Sequence, residues 1–415
     1  MTFSDSMPLG ATVVGNATRF AALTDAPRCA VRLYDSNGEV IAEHALGPEE
    51  NGVHSLDIPG VGHGALYRFV LGERALPDPY ARFLPYGVHG PAMVVEPRLG
   101  FRFDAVSRPL AEHVIYELHI GTFTPEGTYA GAAERLELLA ELGVTTIELM
   151  PVAAFDGTRG WGYDGVAHYA PFAPYGTPDE LRALVDRAHG LGLSVLLDVV
   201  YNHFGPSGNY LGAYDRRYFA RDVASPWGDA PNFAFAPMRR YVVENALYWL
   251  AEFRFDGLRL DATHALVDSS PKHVLAELAE AVAGFSPKRL LVAEDERNEP
   301  SLVTRLGLDA LWADDFHHAT RVTLTGERDG YYGAYEPGAE TMARTIRRGW
   351  LYEGQRNPVG GKHRGASADE LSAERFVYCI QNHDQIGNRA LGDRLAHVVS
   401  LDAYLAVSVL LLFLP

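Results

Sequence analysis

An α/β protein, a (β/α)8 TIM barrel preceded by an N-terminal β-sandwich, is the architecture that this 415-residue sequence predicts. Two observations carry the prediction. Beyond residue 113, apolar strand-like runs alternate with amphipathic helical patterns, and near-continuous apolar strands belong to parallel sheets covered by helices. Before about residue 105, short β-rich runs recur between turn signals instead. A third observation locates the chemistry. Four of the later strands end in carboxylates and histidines, at the strand ends where barrel enzymes carry their sites.

In the first region the β-rich runs are ATRFAAL, CAVRLYD and LYRFVLG. The turn signals DAPR, DSNG and PGVGHG separate them, and the pattern reads as a small sandwich over residues 1–105. PDPYARFLPYGVHGPA reads as an ordered linker.

Residues 106–415 read as the barrel. Its strands are VIYELHI (114–120), VTTIELM (144–150), LSVLLDVV (193–200) and FDGLRLD (255–261), then RLLVAE (289–294), ALWADD (310–315), FVYCIQ (376–381) and LLLFLP (410–415). Between them lie the helical patterns GAAERLELLAEL, PDELRALVDRAHGL, MRRYVVENALYWLAEF, SPKHVLAELAEAVAG, EPSLVTRLG, TMARTIRRGW and LDAYLAVSVL. Residues 201–237, rich in Gly, Pro and aromatics, form a long inserted loop, and long ordered loops usually carry function. The apolar ending is read as an eighth strand with no loop or helix after it. That would expose apolar surface, so the chain is expected to be truncated at strand eight.

Charge narrows the partners. With 36 basic and 53 acidic residues the net charge is −17, which disfavours nucleic acid and anionic membranes and suits a neutral ligand such as a sugar. The apolar stretch 403–415 is shorter than the ~20 residues of a membrane span. MTFSDSMPLG has neither the basic nor the apolar part of a signal peptide. Cys29 and Cys379 lie too far apart in sequence to suggest a CxxC metal site or a disulfide framework. A reducing, cytoplasmic location is expected.

The strand ends supply the candidate site. Strand three ends in DVVYNH, with Asp198 and His203; strand four in RLDATH, with Arg259, Asp261 and His264. Strand five ends in VAEDE, strand seven runs into QNHDQ, with His383 and Asp384, and strand two leads to WGYD, with Trp161 and Tyr163. Alternation puts Arg259 and Asp261 on one face, so the guanidinium is expected to hold the carboxylate ionised. Glu294 follows an apolar run that would raise its pKa and keep it protonated. Glu296 lies beyond the strand among polar residues and reads as a solvated charge. An ionised carboxylate beside a protonated one is the equipment of a retaining glycosidase, with a separation of ~5–5.5 Å. The histidines show no HExxH-type spacing, so neither a metal nor an organic cofactor is expected.

DVVYNH, GLRLDATH, VAEDE and QNHDQ resemble, in order, the four signature regions of the alpha-amylase family of glycoside hydrolases. The resemblance implies Asp261 as nucleophile, Glu294 as general acid/base and Asp384 as the third carboxylate. It implies Arg259, His203, His383, Asp198 and Tyr163 around the attacked glucose; Trp161 and His264 join them as candidate binding residues. It also implies a C-terminal β domain, absent from this chain. VIYELHIGTFTPEGTY, IELMPVAAFDGTRGWGYDGV, VVYNHFGPSGNYLG, FDGLRLDATHALVD and VAEDERNEP resemble the members that cut the α-1,4 bond next to a terminal trehalose unit. The implied substrate is maltooligosyltrehalose or a related α-glucan, and the implied partner a maltooligosyltrehalose synthase. Two alternatives stay open: a glycogen branching or debranching enzyme of the same family, and an inactive glucan-binding protein.

Overall fold

The computed structural model describes residues 9–97, 100–225 and 227–415. They fall into two compact units. The first takes residues up to 107, Ile115–Arg259 and Ala265–Arg289; the second takes Arg108–Val114, Leu260–His264 and Leu290–Pro415.

The first unit opens with two antiparallel sheets. One runs Gly10–Val14, Ala17–Leu23, Val53–Pro59, Gly47–Pro48 in spatial order; the other runs Val40–Ala45, Cys29–Tyr34, Leu66–Leu71, Arg74–Leu76. Burial alternates along Cys29–Tyr34, as the side-chain period of two requires, so Val31 and Leu33 face inward. They share one buried cluster with Tyr67 and Phe69 and with Phe20 of the other sheet, whose ring meets Tyr67 edge-on at 5.1 Å. The segment after these sheets is anchored by polar bonds. Tyr67 donates its hydroxyl to Asp78 at 2.6 Å, and Tyr80 stacks on Tyr169 at 5.4 Å.

Beyond residue 114 the same unit becomes α/β. Ile115–Leu118, Thr146–Leu149 and Ser194–Val199 pair in parallel, and the strand Gly257–Leu260, which belongs to this unit as far as Arg259, is next in order. Ser194–Val199 is buried at every residue, which is why it reads as an unbroken apolar run. Helices Tyr129–Leu142, Pro178–Gly190 and Ala236–Glu252 fall between the strands. Thr177 and Glu180 cap the second reciprocally. The described residues within 201–237 form short regular elements. They hold the turns Leu211–Tyr214 and Arg216–Tyr218 and the hairpin of Phe219–Ser225 with Gly228–Pro231.

The second unit continues the pattern with parallel strands Leu290–Ala293, Ala310–Trp312 and Phe376–Val377. Three expectations need correction here. The apolar ending is a helix, Leu401–Leu412, and not an eighth strand. An apolar run reads equally as strand or helix, and here Ser400 caps the N-terminus while twelve residues exceed a usual strand. Val407 packs into a cluster with Val322, Tyr332 and Tyr352, whereas Leu405, Val409 and Leu412 are exposed. ALWADD is strand only to Trp312, because Asp314 and Asp315 open the helix Asp314–Thr325, where the helix dipole favours carboxylates. FVYCIQ is strand only at Phe376–Val377.

Candidate functional site

In the first unit the predicted residues form one buried polar cluster. Arg259 and Asp198 are fully buried, and Arg259 Nη1 donates to both Asp198 oxygens at 3.0 and 2.9 Å. The Tyr163 hydroxyl donates to Asp198 Oδ2 at 2.6 Å. Two strand ends and the WGYD turn thus meet on one carboxylate. The turn requires Gly162, at φ +95°, where an added Cβ would stand 2.1 Å from the Pro151 carbonyl oxygen. His203 Nε2 bonds the Tyr163 carbonyl at 2.8 Å, and its Nδ1 bonds the Asn202 side chain. The carbonyl can only accept, so Nε2 carries the hydrogen. Trp227 lies flat over the His203 ring, centroids 4.2 Å apart and planes 12° from parallel, with 46% of its surface exposed. Trp161 is half-buried.

The three carboxylates sit in the second unit. Glu294 directly follows the strand Leu290–Ala293, and its N–H donates to the Leu260 carbonyl at 3.0 Å. The segment 260–264 then wraps its side chain. Ala262 N–H donates to Glu294 Oε2 at 2.9 Å, while the Thr263 N–H and hydroxyl both donate to the Glu294 carbonyl at 2.9 Å. The Thr263 hydroxyl also reaches Asp295 Oδ2 at 2.8 Å. Asp261, half-buried, is the first residue of this segment after the strand. Asp384 lies on the one-turn helix His383–Gly387, which Asn382 and Gln385 cap reciprocally. His383 is buried, its Nε2 3.6 Å from Asp384 Oδ1.

Glu294 and Asp384 line one cavity of about 780 Å³, and His264, Glu296 and Asn382 line it with them. Its size is that of a small-molecule site, typically ~300–1,000 Å³. Asp261 is not among its described lining residues. Glu296 is exposed, 3.9 Å from His264 Nε2. Glu294 offers a proton donor or acceptor to whatever occupies the cavity, and Asp384 a second carboxylate for hydroxyl groups.

Much of the cavity wall lies in stretches where the sequence reading placed no site residue. Helix Asp314–Thr325 contributes Asp314, His317 and His318; the turn Gly330–Ala334 contributes Tyr331; residues 357–365 contribute Lys362 and Arg364. The buried hub of this wall is Asp315. It accepts from Tyr335 at 2.6 Å, Asn298 at 2.9 Å and the Leu351 N–H at 2.6 Å, and pairs with Arg364 at 3.0 Å. The one available signal was DDFHH after strand six, where two acids and two histidines crowd a helix start.

Known proteins resemble this chain over most of its length. The family model of the alpha-amylase catalytic domain matches residues 117–229. A malto-oligosyltrehalose trehalohydrolase of Deinococcus radiodurans is 55% identical, over 97% of this chain and 68% of that protein. One from Saccharolobus solfataricus is 41% identical, over 88% of this chain and 66% of that protein. The chain spans about two thirds of the length of these relatives. The crystal structure of a Salmonella typhimurium protein assigned as an alpha amylase is 40% identical and matches with a TM-score of 0.92, covering 98% of this chain and 71% of that one.

Proposed function

The chain belongs to the alpha-amylase family, alongside the malto-oligosyltrehalose trehalohydrolases, and from that premise we propose that it is a retaining glycoside hydrolase releasing trehalose from maltooligosyltrehalose. The observation that carries the reading is the second-unit cavity. Glu294 and Asp384 line it, and the segment bearing Asp261 is hydrogen-bonded to Glu294 itself.

The proposed reaction is a double displacement. An Asp261 oxygen attacks the anomeric carbon of the glucose preceding the trehalose unit. Glu294 gives its proton to the bridging oxygen, and trehalose departs. Since Glu294 Oε2 accepts from Ala262, the transferable proton belongs on Oε1. A water then loses its proton to Glu294 and attacks the same carbon. The C1–Asp261 bond breaks, and the maltooligosaccharide leaves with its configuration retained. Asp384 grips hydroxyls of the attacked ring. Arg259, Asp198, His203, Tyr163 and Trp161 in the first unit, and His383 and His264 in the second, are assigned as sugar-binding groups or their supports.

We assign residues 1–105 to a β-sandwich with linker and 106–415 to a barrel of the (β/α)8 type, in which LLLFLP supplies no strand. No helix among the described residues is long and apolar enough to cross a membrane. A cytoplasmic location and functional pairing with a maltooligosyltrehalose synthase complete the reading.

Incubation with maltooligosyltrehalose and, separately, with amylose tests it. Free trehalose from the first is the expected product; new branch points in amylose without trehalose reject the assignment. Asp261→Asn and Glu294→Gln should each lower trehalose release by at least ~1,000-fold. Wild-type rates in both variants would reject these two carboxylates as the catalytic pair, and no trehalose from any of the three proteins would point to a protein that only binds glucan.

A further inference from the structure

Imidazoles fasten the turn bearing Trp161 and Tyr163 on both sides of Trp161. His203 Nε2 donates to the Tyr163 carbonyl at 2.8 Å. His119 Nε2 lies 3.0 Å from the Gly160 carbonyl. The proposed reaction gives His119 no role. It stands one residue beyond the strand Ile115–Leu118, at the kind of strand end where barrel enzymes carry their sites.

The hydrogen bonds fix its ring. The Gly160 carbonyl can only accept, so Nε2 carries the hydrogen. Nδ1 then accepts from the Thr122 hydroxyl at 3.0 Å. Burial lowers the His119 pKa, with the Gly160 bond opposing it, and the ring is neutral. Tyr175 brings a second donor. Its hydroxyl donates to the Gly160 carbonyl at 3.3 Å, and its oxygen lies 2.7 Å from His119 Nε2. The Tyr175 ring is itself held edge-on by Phe172 at 4.9 Å and by Tyr129 at 5.9 Å.

Nothing regular in the backbone holds Gly160 otherwise. Residues 155–166 are neither strand nor helix, and residues 156–159 are exposed. Gly160 lies so close to Phe155 that an added Cβ would stand 2.8 Å from its Cε2, and Phe155 stacks on Phe172 at 3.9 Å. An aromatic stack and two donors to its carbonyl thus hold this glycine. The Gly160 carbonyl and the Trp161 N–H share one rigid peptide plane, so fixing the carbonyl fixes the Cα that carries the indole.

Resting on the glucan-hydrolase reading, in which Trp161 binds sugar, we propose that His119 is a positioning residue. With Tyr175 it sets the Gly160–Trp161 peptide, and through it the indole that substrate meets. It touches no reacting atom, so its removal acts on substrate binding more than on turnover.

The test measures trehalose release from maltooligosyltrehalose by wild type, His119→Leu, His119→Gln, Tyr175→Phe and Trp161→Ala, all in the full chain. His119→Leu removes the ring donor and should raise KM about three- to tenfold, the value of one hydrogen bond, with kcat changed less. His119→Gln, whose amide nitrogen can donate to the same carbonyl, should stay within about twofold of wild type. Trp161→Ala should raise KM, and in that background His119→Leu should raise it no further, because it acts through the indole. A lower Tm with unchanged KM overturns the proposal. So do equal rises in the leucine and glutamine variants, an unchanged KM in Trp161→Ala, or additive rises in its background. If His119→Leu loses its fold, Tyr175→Phe takes its place in the same comparison. If wild type releases no trehalose, the hydrolase reading falls by itself, and calorimetric titration with maltoheptaose applies the same comparisons to Kd. Absence of maltoheptaose binding by wild type would then remove Trp161 as a sugar contact, and the proposal with it.

Discussion

Ala262 donates its backbone N–H to Glu294 Oε2 across 2.9 Å, and it does so from a left-handed backbone, φ +40°. An L-residue other than glycine, asparagine or aspartate rarely holds that conformation. The neighbouring bonds from Thr263 to the Glu294 carbonyl keep the segment in place. Strain of this kind persists where the surroundings over-determine it, and it gathers at functional sites.

The first prediction follows from that geometry. Ala262→Gly should stay within about 1 kcal/mol of the parent in stability, because relief of the left-handed strain offsets the added chain entropy. Ala262→Val should lose about 1–3 kcal/mol, since a β-branched side chain tolerates this backbone poorly, and trehalose release should fall with it. Urea unfolding and product assays of the two variants read both effects. Equal stability of the valine and glycine variants would remove strain from the account.

Arg259 and Asp198 make a second prediction. Both side chains are fully buried, so removing the cation leaves a carboxylate without its counter-charge. Arg259→Met should cost about 3–5 kcal/mol in urea unfolding. Asp198→Asn should cost less when combined with Arg259→Met than the two single changes sum to, because the pair is coupled. Additive losses would show that the two groups act independently.

Gly162 gives a third. With φ +95° and the Pro151 oxygen 2.1 Å from any Cβ, Gly162→Ala meets both backbone strain and a backbone clash. A loss of more than about 2 kcal/mol is expected. The change should also move Trp161 and Tyr163 on either side, visible as altered tryptophan fluorescence and a raised KM. A variant with the parent's Tm and KM would contradict the turn geometry.

His168 sets a pH dependence. Its ring is buried and stacked on Phe204 at 4.4 Å. Burial, with a smaller contribution from the His203 charge and against a Gly165 backbone hydrogen bond, pushes its pKa from 6.5 down to about 3. The folded state therefore takes this proton near pH 3, and the unfolded chain near pH 6.5. As pH falls through that window the unfolded chain binds more protons and stability drops; above 6.5 the residue has no effect. His168→Phe should flatten the decline of the urea midpoint between pH 6.5 and 4. An identical acid slope in both proteins would sink the assignment.

What could be read from the chain alone was whatever burial writes into local pattern. Strands such as Ser194–Val199 are buried on both faces, so their sequence is apolar throughout, and a charge at such a strand's end stands out. Asp198, Arg259, Asp261 and Glu294 stand out in the sequence for that reason. Period and composition found the helix in LDAYLAVSVL but could not decide the last residues: LLLFLP reads as a buried strand, and its first three residues instead continue the helix Leu401–Leu412. Nor could they reveal partners far apart in sequence. Asp315 meets Arg364 across 49 positions, and the hub they form braces a cavity wall holding His318 and Tyr331. Sequence determined which residues carry charge at the ends of apolar strands, because burying a charge is costly and its placement is therefore conspicuous. Only tertiary structure decided which distant groups share a proton, a ring face or a cavity, because those pairings depend on chain path and leave no local trace.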